Sequence, residues 1–289
     1  MKKIILLLIP VITFLASCDK INDPVTETTI IPVDTTDTST VQKYRIILLE
    51  EYTGQKCGNC PKAQRFLYDS LVPKYEKKIL TMAVHAGSYA VPDASGFYTA
   101  DFRTPEGDAY NSNSLFGMSA AGQPNAMINR KGYPGSHVKY KFQWETEVYN
   151  LVSVPADAWV TVENSYNNST RTASVNVKSE FLNALTGDYK LCVAVTEDSI
   201  VSPQLDYFPI SGGSQDVVNY LHRHIFRGTV NTAFGGYIAS DPAAGTIVEK
   251  DYTYVVPANF NANHCHIVAY IYDADNYEII QAGEAKIVE

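Results

Sequence analysis

Apolar and polar positions along the 289 residues fall into distinct textures. Lys2 and Lys3 precede an apolar run from Ile4 to Leu15, which is too short to span a bilayer and has the length of a signal-peptide core. From Asp19 to Gln42, threonine, aspartate and proline dominate and no apolar period survives, so this stretch cannot bury enough surface to fold. Tyr44 to Tyr52 is then a β-branched, apolar run of strand length, as expected of a buried parallel strand. Ala63, Phe66, Leu67 and Leu71 recur at helical spacing, and Pro73 is expected to end that helix. Ile79 to Val84 reads as a second strand, and a long segment, Gly87 to Leu115, holds a helix opened by Thr104-Pro105-Glu106. Asn125 to Asn129 reads as a third strand, and Trp144, Val148 and Leu151 mark a helix within Val138 to Ser153.

After Val154-Pro155 the chain changes to short alternating runs: Trp159–Val162, Ser174–Val177, Tyr189–Val195, His222–Val230, Tyr252–Val256, His266–Tyr272 and Tyr277–Ala282. Such runs, with turn residues between them, predict an antiparallel β-sandwich of immunoglobulin-like kind. Asp273-Ala-Asp-Asn276 reads as a hairpin turn. The expected domains are 43–154, α/β with an insertion at about 87–115, and 155–289, all-β.

An apolar share of 45% with 19% charged residues suits a globular core. The net charge of −8 argues against nucleic acid or anionic lipid as main partner, since both need a basic footprint. Twenty tyrosines fit strand-rich structure, the sharper alternative being a carbohydrate- or peptide-binding face.

The apolar run ends in Leu15-Ala16-Ser17-Cys18, which resembles the lipobox of bacterial lipoproteins. The resemblance implies removal of residues 1–17 and acylation of Cys18; an ordinary secretory signal with a chance cysteine is the alternative. Several acyl chains, at ~0.8 kcal/mol per buried methylene, make a stable anchor. Residues 18–42 then form a flexible lipidated tether holding the folded part about 25–30 Å from the membrane.

Outside the cytosol thiols tend to oxidise, which disfavours a zinc site at Cys57-Gly-Asn-Cys60, and the chain lacks the second Cys-x-x-Cys of a zinc ribbon. The pair stands where a strand hands over to a helix, with Cys57 expected at the helix N-terminus, where the dipole lowers a thiol pKa. Gly58 is expected to keep access open, and Cys60, one turn in, is placed to attack a mixed disulfide. Strand, loop, Cys-x-x-Cys and helix together resemble the thioredoxin-like family. Gln123-Pro124 matches the place of that family's cis-proline, opposite the cysteines. Glu51, six residues before Cys57, stands where the family often has a partly buried acid that relays the inner cysteine's proton; a solvated strand-end acid is the alternative. Lys56 replaces the usual tryptophan and is expected to depress the Cys57 pKa further, and Asn59 replaces the common proline. The segment 87–115 is expected to lid the site or bury the cysteines, and His85 ends a strand on the edge where such sites lie, a packed or solvated histidine being preferred to a role at the cysteines.

A thioredoxin-like domain followed by a sandwich on a lipid tether resembles the outer-membrane-protein-twenty-eight-like lipoproteins of Bacteroidetes. The resemblance runs through Cys57-Gly-Asn-Cys-Pro61, Gly122-Gln-Pro-Asn-Ala-Met-Ile-Asn-Arg130, His222-Arg-His-Ile-Phe-Arg227 and Val268 to Gln281. It implies an outer-membrane, cell-envelope place, periplasmic or surface-exposed, with binding or adhesion as the usual suggested role. The expected function is an extracytoplasmic thiol–disulfide oxidoreductase acting through Cys57 and Cys60 on protein thiols or disulfides. The rival is a surface-binding lipoprotein whose Cys57–Cys60 bond is structural and whose sandwich carries a surface ligand. No cofactor and no metal are expected. His222 and His224 share one expected strand face, as do His264 and His266, and ordinary strand histidines are preferred to a zinc or copper site. Strand alternation puts Cys192 opposite Leu191, Val193 and Val195, and turns Cys265 inward with Ile267 and Ile271, leaving Tyr270 and Tyr272 outward. The two cysteines are therefore expected to stay unpaired.

Overall fold

A computed structural model describes residues 43–210 and 212–289. The leader, Cys18 and the tether lie outside the described residues. In chain order the first half comprises β1 (Ile47–Thr53), α1 (Cys60–Phe66), α2 (Val72–Tyr75), β2 (Ile79–His85), α3 (Pro105–Tyr110), β3 (Asn125–Ile128), β4 (Lys139–Tyr140) and α4 (Lys141–Val152). The second half comprises β5 (Ala158–Asn167), β6 (Thr172–Phe181), β7 (Asp188–Glu197), β8 (Ile200–Leu205), β9 (Asp216–His222) and β10 (Ile225–Thr229), then β11 (Gly236–Ser240), β12 (Ile247–Val255), β13 (Cys265–Asp273) and β14 (Ile279–Lys286). The described chain is mostly β-sheet with few helices.

Every residue of β1 is buried, Glu50, Glu51 and Thr53 along with its apolar residues, because neither face of this strand turns to water. It pairs in parallel with β2 and antiparallel with β3. Ile47 and Leu49 face the helices, meeting Ala63 and Leu67 on one side and Trp144, Val148 and Leu151 of α4 on the other. The helical pattern does not stop at Pro73. A π-helical turn, Leu67–Leu71, leads without a break into α2, so Pro73, which has no N–H to give, lies inside a continuous helical run directly after the π turn. Thr104 caps α3 as its sequence suggests, its Oγ1 accepting from Gly107 N at 2.9 Å.

Among the described residues, one nine-stranded sheet runs β14-β13-β7-β10-β2-β1-β3-β4, with β11 alongside β7. Strand β10 joins the two halves: Ile225 pairs with Ala83 of β2, and Ala83 N donates to His224 O at 2.9 Å. The second sheet, β12-β6-β5, covers one face of β7 and β13, packing Val160, Val175, Val177 and Phe181 against Leu191, Val193, Ile267 and Ile271. One of these two packed sheets is shared with the cysteine-bearing half.

The other face of that sheet curls on itself until β14 returns to the start of β1. Ile46 N donates to Gln281 Oε1 at 2.7 Å, and Ile279 N donates to Asn129 O at 2.8 Å. Tyr270 and Tyr272, expected to look outward, are therefore buried on this inner face. They surround Arg130, which forms a bidentate pair with Glu50 at 2.7 and 2.8 Å and lies 5.0–5.7 Å from the rings of Phe116, Tyr270, Tyr110 and Tyr272. Cys192 belongs to this inner core and Cys265 to the core under β5 and β6, so the two free thiols sit on opposite faces.

The His222–Val230 run breaks in two. His224 takes φ 45°, so His222 ends β9 while Ile225 begins β10. Strands β8, β9 and β11 were not expected; the Pro203 that interrupts Val201–Leu205 hides β8 from a pattern search.

Candidate functional site

The loop after β1 carries the cysteines. Cys57 N donates to Gly54 O and Cys60 N to Cys57 O, both at 3.0 Å, which folds the four residues into a tight turn. Cys57 and Cys60 form a disulfide across a Cα separation of 5.4 Å. Helix α1 begins at Cys60, with Asn59 as its N-cap and Pro61 in the first turn, so Cys57 sits in the turn before the helix rather than at its first position. Proline at that place pre-forms the helical φ.

Access is not open. Cys57 is 2% exposed and Cys60 fully buried. Part of the expected cover comes from the segment 87–115: Lys56 N donates to Tyr89 O at 3.0 Å, and Gly54 lies so close to the Tyr89 backbone that a side chain there would collide. The rest comes from the unexpected β8. Leu205 N donates to Gln55 O and Tyr207 N to Gly58 O, each at 2.8 Å, and the Tyr207 ring lies over Gly58. The Lys56 ammonium is held by Asp93 at 2.7 Å.

Glu51 stands on the helix-facing side of β1, between Leu49 and Thr53, and is 1% exposed. Neither carboxyl oxygen has a hydrogen bond of standard geometry, and burial lifts its pKa from 4.5 to about 8, the nearby Gln64 opposing part of the rise. Gln64 lies four residues after Cys60 on α1, on the same helix face, so Glu51 meets that face at Gln64, one turn along from the inner cysteine. Tyr220 of β9 donates to Gln64 Oε1 at 2.5 Å, so the covering hairpin also closes this layer. Gln64 and Tyr220 escaped the sequence reading, although the spacing from Cys60 to Gln64 was the available signal.

The Gln123-Pro124 bond is cis. Gln123 Nε2 donates to Ala86 O at 3.0 Å and to Thr53 O at 3.3 Å, and Asn125 pairs with Tyr52, so Pro124 sits at the end of β1 that feeds the cysteine loop. His85 is buried beside Phe102 and His222, with ring centroids 5.2 and 5.7 Å away. Burial pushes His85 down to about 3 and His222 to about 4, and neither ring has a hydrogen-bonded nitrogen of standard geometry. His224 instead stacks on Tyr68 and comes within 5.8 Å of His266, because the turn at His224 separates it from His222. Among the described residues no group of three or more histidine, cysteine, aspartate or glutamate side chains is placed to hold a metal.

Among solved structures, the chain is similar to HBP35 of Porphyromonas gingivalis, with 16% identity and a TM-score of 0.59, covering 84% of this chain and 76% of that one. It also matches a domain of the outer membrane lipoprotein Omp28 from Porphyromonas gingivalis, with 24% identity and a TM-score of 0.32, covering 47% of this chain and 93% of that one. No curated protein sequence matches. The family described as outer membrane protein Omp28 matches residues 110–289, a span that takes in β3, Arg130 with the four rings around it and all of the second half but leaves Glu50 and the cysteine loop outside. With more than half of its sequence matched, the chain belongs to the Omp28 family of outer membrane proteins, in the outer membrane of the cell envelope.

Proposed function

We propose that the chain is a lipid-anchored thiol–disulfide oxidoreductase acting through Cys57 and Cys60. Residues 43–154 are its thioredoxin-like domain, with the insertion near 87–115, and residues 155–289 an immunoglobulin-like sandwich. Cleavage after Ser17 and acylation of Cys18 tie it to the membrane through the 18–42 tether. The observation that carries the reading is Glu51: a fully buried carboxyl with no hydrogen bond of standard geometry, lifted to about 8, beside Gln64, which shares a face of α1 with Cys60. A structural disulfide gains nothing from such a group, and its burial costs stability. An exchange site uses it. In the reduced pair the Cys57 thiolate attacks a substrate disulfide, forming a mixed disulfide and releasing one substrate thiolate. Glu51 then accepts the Cys60 proton, and the Cys60 thiolate attacks Cys57 sulfur, releasing the second substrate thiolate and restoring the Cys57–Cys60 bond. Pro124, at the end of β1, borders the substrate's place, and Lys56 sets charge beside Cys57.

The burial of both sulfurs favours a second reading, a surface-binding lipoprotein with a structural bond. One experiment separates them. Reduced Cys60→Ser protein, offered a disulfide-bearing protein, accumulates a mixed disulfide through Cys57 if exchange is the function. A pair poised below about −300 mV that forms no mixed disulfide is structural, and the oxidoreductase proposal fails.

A further inference from the structure

Strand β8 covers the cysteines with the contacts an incoming polypeptide would make. Alternate amides of an extended chain, those of Leu205 and Tyr207, donate to the carbonyls of Gln55 and Gly58, which flank Cys57. The Gln204 side-chain amide donates to Gly54 O and Cys57 O, each at 3.2 Å, and Gln55 Nε2 donates to Ser202 Oγ at 3.0 Å. Asp206, 3% exposed in its side chain, takes the Arg65 guanidinium of α1 at 2.7 Å. The Tyr207 ring lies over Gly58 so closely that a Cβ there would come within 2.6 Å of it.

The same strand is lightly built. β8 and β9 form a two-stranded sheet of their own, and a lone hairpin is marginally stable in water. Val201, Val218 and Leu221 remain exposed on it, as does Phe208 just beyond β8, so little apolar burial resists its release.

We propose that β8 together with Asp206–Phe208 is a built-in stand-in for substrate. The Gly54–Gly58 loop and Arg65 form a docking strip for an extended polypeptide carrying an acidic residue followed by an aromatic one. Such a chain reaches Cys57–Cys60 by displacing β8. What the displaced site then does rests on the oxidoreductase reading; the displacement itself is measured without it.

The test is the rate at which dithiothreitol reduces Cys57–Cys60 in the folded full chain, a reaction in which its two thiols lose two electrons and two protons and close their own disulfide. The double variant Asp206→Asn/Tyr207→Ala removes the Arg65 pair and the ring over Gly58. Reduction should speed up about tenfold or more, as expected for losing one charge-assisted contact from a local closing equilibrium. A synthetic Gln-Leu-Asp-Tyr-Phe peptide should slow the variant again. A wild-type rate in the folded variant overturns the proposal, and a scrambled peptide acting equally well overturns the acid–aromatic preference. If the variant does not fold, hydrogen exchange of the wild type decides: Leu205 and Tyr207 amides exchanging well ahead of those of β1 support release, and exchange only with global unfolding overturns it. A variant that is reduced faster yet forms no mixed disulfide when combined with Cys60→Ser supports the displacement and sinks the oxidoreductase reading alone.

Discussion

Replacing Glu51 by glutamine tests the site through its pH-dependent stability. The carboxyl is 1% exposed, and burial lifts it from 4.5 to about 8. An acid whose folded pKa is raised binds its proton more tightly when folded, so its penalty is absent below 4.5, grows as pH rises and is complete near 8. At 1.36 kcal/mol per unit, this one group lowers the unfolding free energy by about 1 kcal/mol at pH 5 and about 3 kcal/mol at pH 7. Glutamine has nearly the same shape and does not ionise, so the slope disappears. Urea unfolding of wild type and Glu51→Gln from pH 4.5 to 8.5 should give a difference curve that rises in the variant's favour by about 2–3 kcal/mol between pH 5 and 7 and levels off above 8. Taking the difference cancels His85 and His222, whose lowered pKa values give a slope of opposite sign. Burying an extra amide moves the whole curve down without changing its slope. Parallel wild-type and variant curves would show that Glu51 is ionised or solvated in the folded protein and is no proton relay for Cys60.

Arg130→Met leaves Glu50 buried without its counter-charge and should cost about 3–5 kcal/mol in denaturant unfolding, with Glu50→Leu in the same chain recovering part of the loss. His222 is held neutral by burial at about 4, so its contribution is full above 6.5 and is lost as pH falls; His222→Phe should retain about 2–3 kcal/mol more of its neutral-pH stability at pH 4.5, and equal acid losses in the two proteins would contradict this. Cys18→Ser should release the protein from membranes in a fractionation assay, and retention with unchanged lipid labelling rules out the lipoprotein proposal. Cys192 and Cys265 lie on opposite faces of one sheet, so both should react with iodoacetamide only on unfolding, and a Cys192–Cys265 cross-linked peptide in non-reduced digests contradicts that placement.

What the sequence by itself determined is local. The apolar run into Gly54 and the spacing Cys60, Ala63, Leu67 and Leu71 specify a strand, a loop and a helix, because strand and helix periods are properties of neighbouring residues. Thr104 and Asp273 announce a cap and a turn for the same reason: their side chains bond backbone groups two or three residues away. Strand parity alone separated Cys192 from Cys265. Tertiary structure decided what covers each face. Tyr270 and Tyr272 read as surface residues because alternation gives one inner face per strand, but β13 has two, since the sheet curls back from β14 to β1 around Arg130 and Glu50. Strand β8, with Pro203 within and exposed apolar residues around it, has no strong pattern of its own; it is ordered by bonds to Gln55 and Gly58, about 150 residues earlier in the chain. No local period records such a contact. Whether the cysteines meet water is therefore decided by the loop that β8 happens to reach, and by the closeness that Gly58 permits.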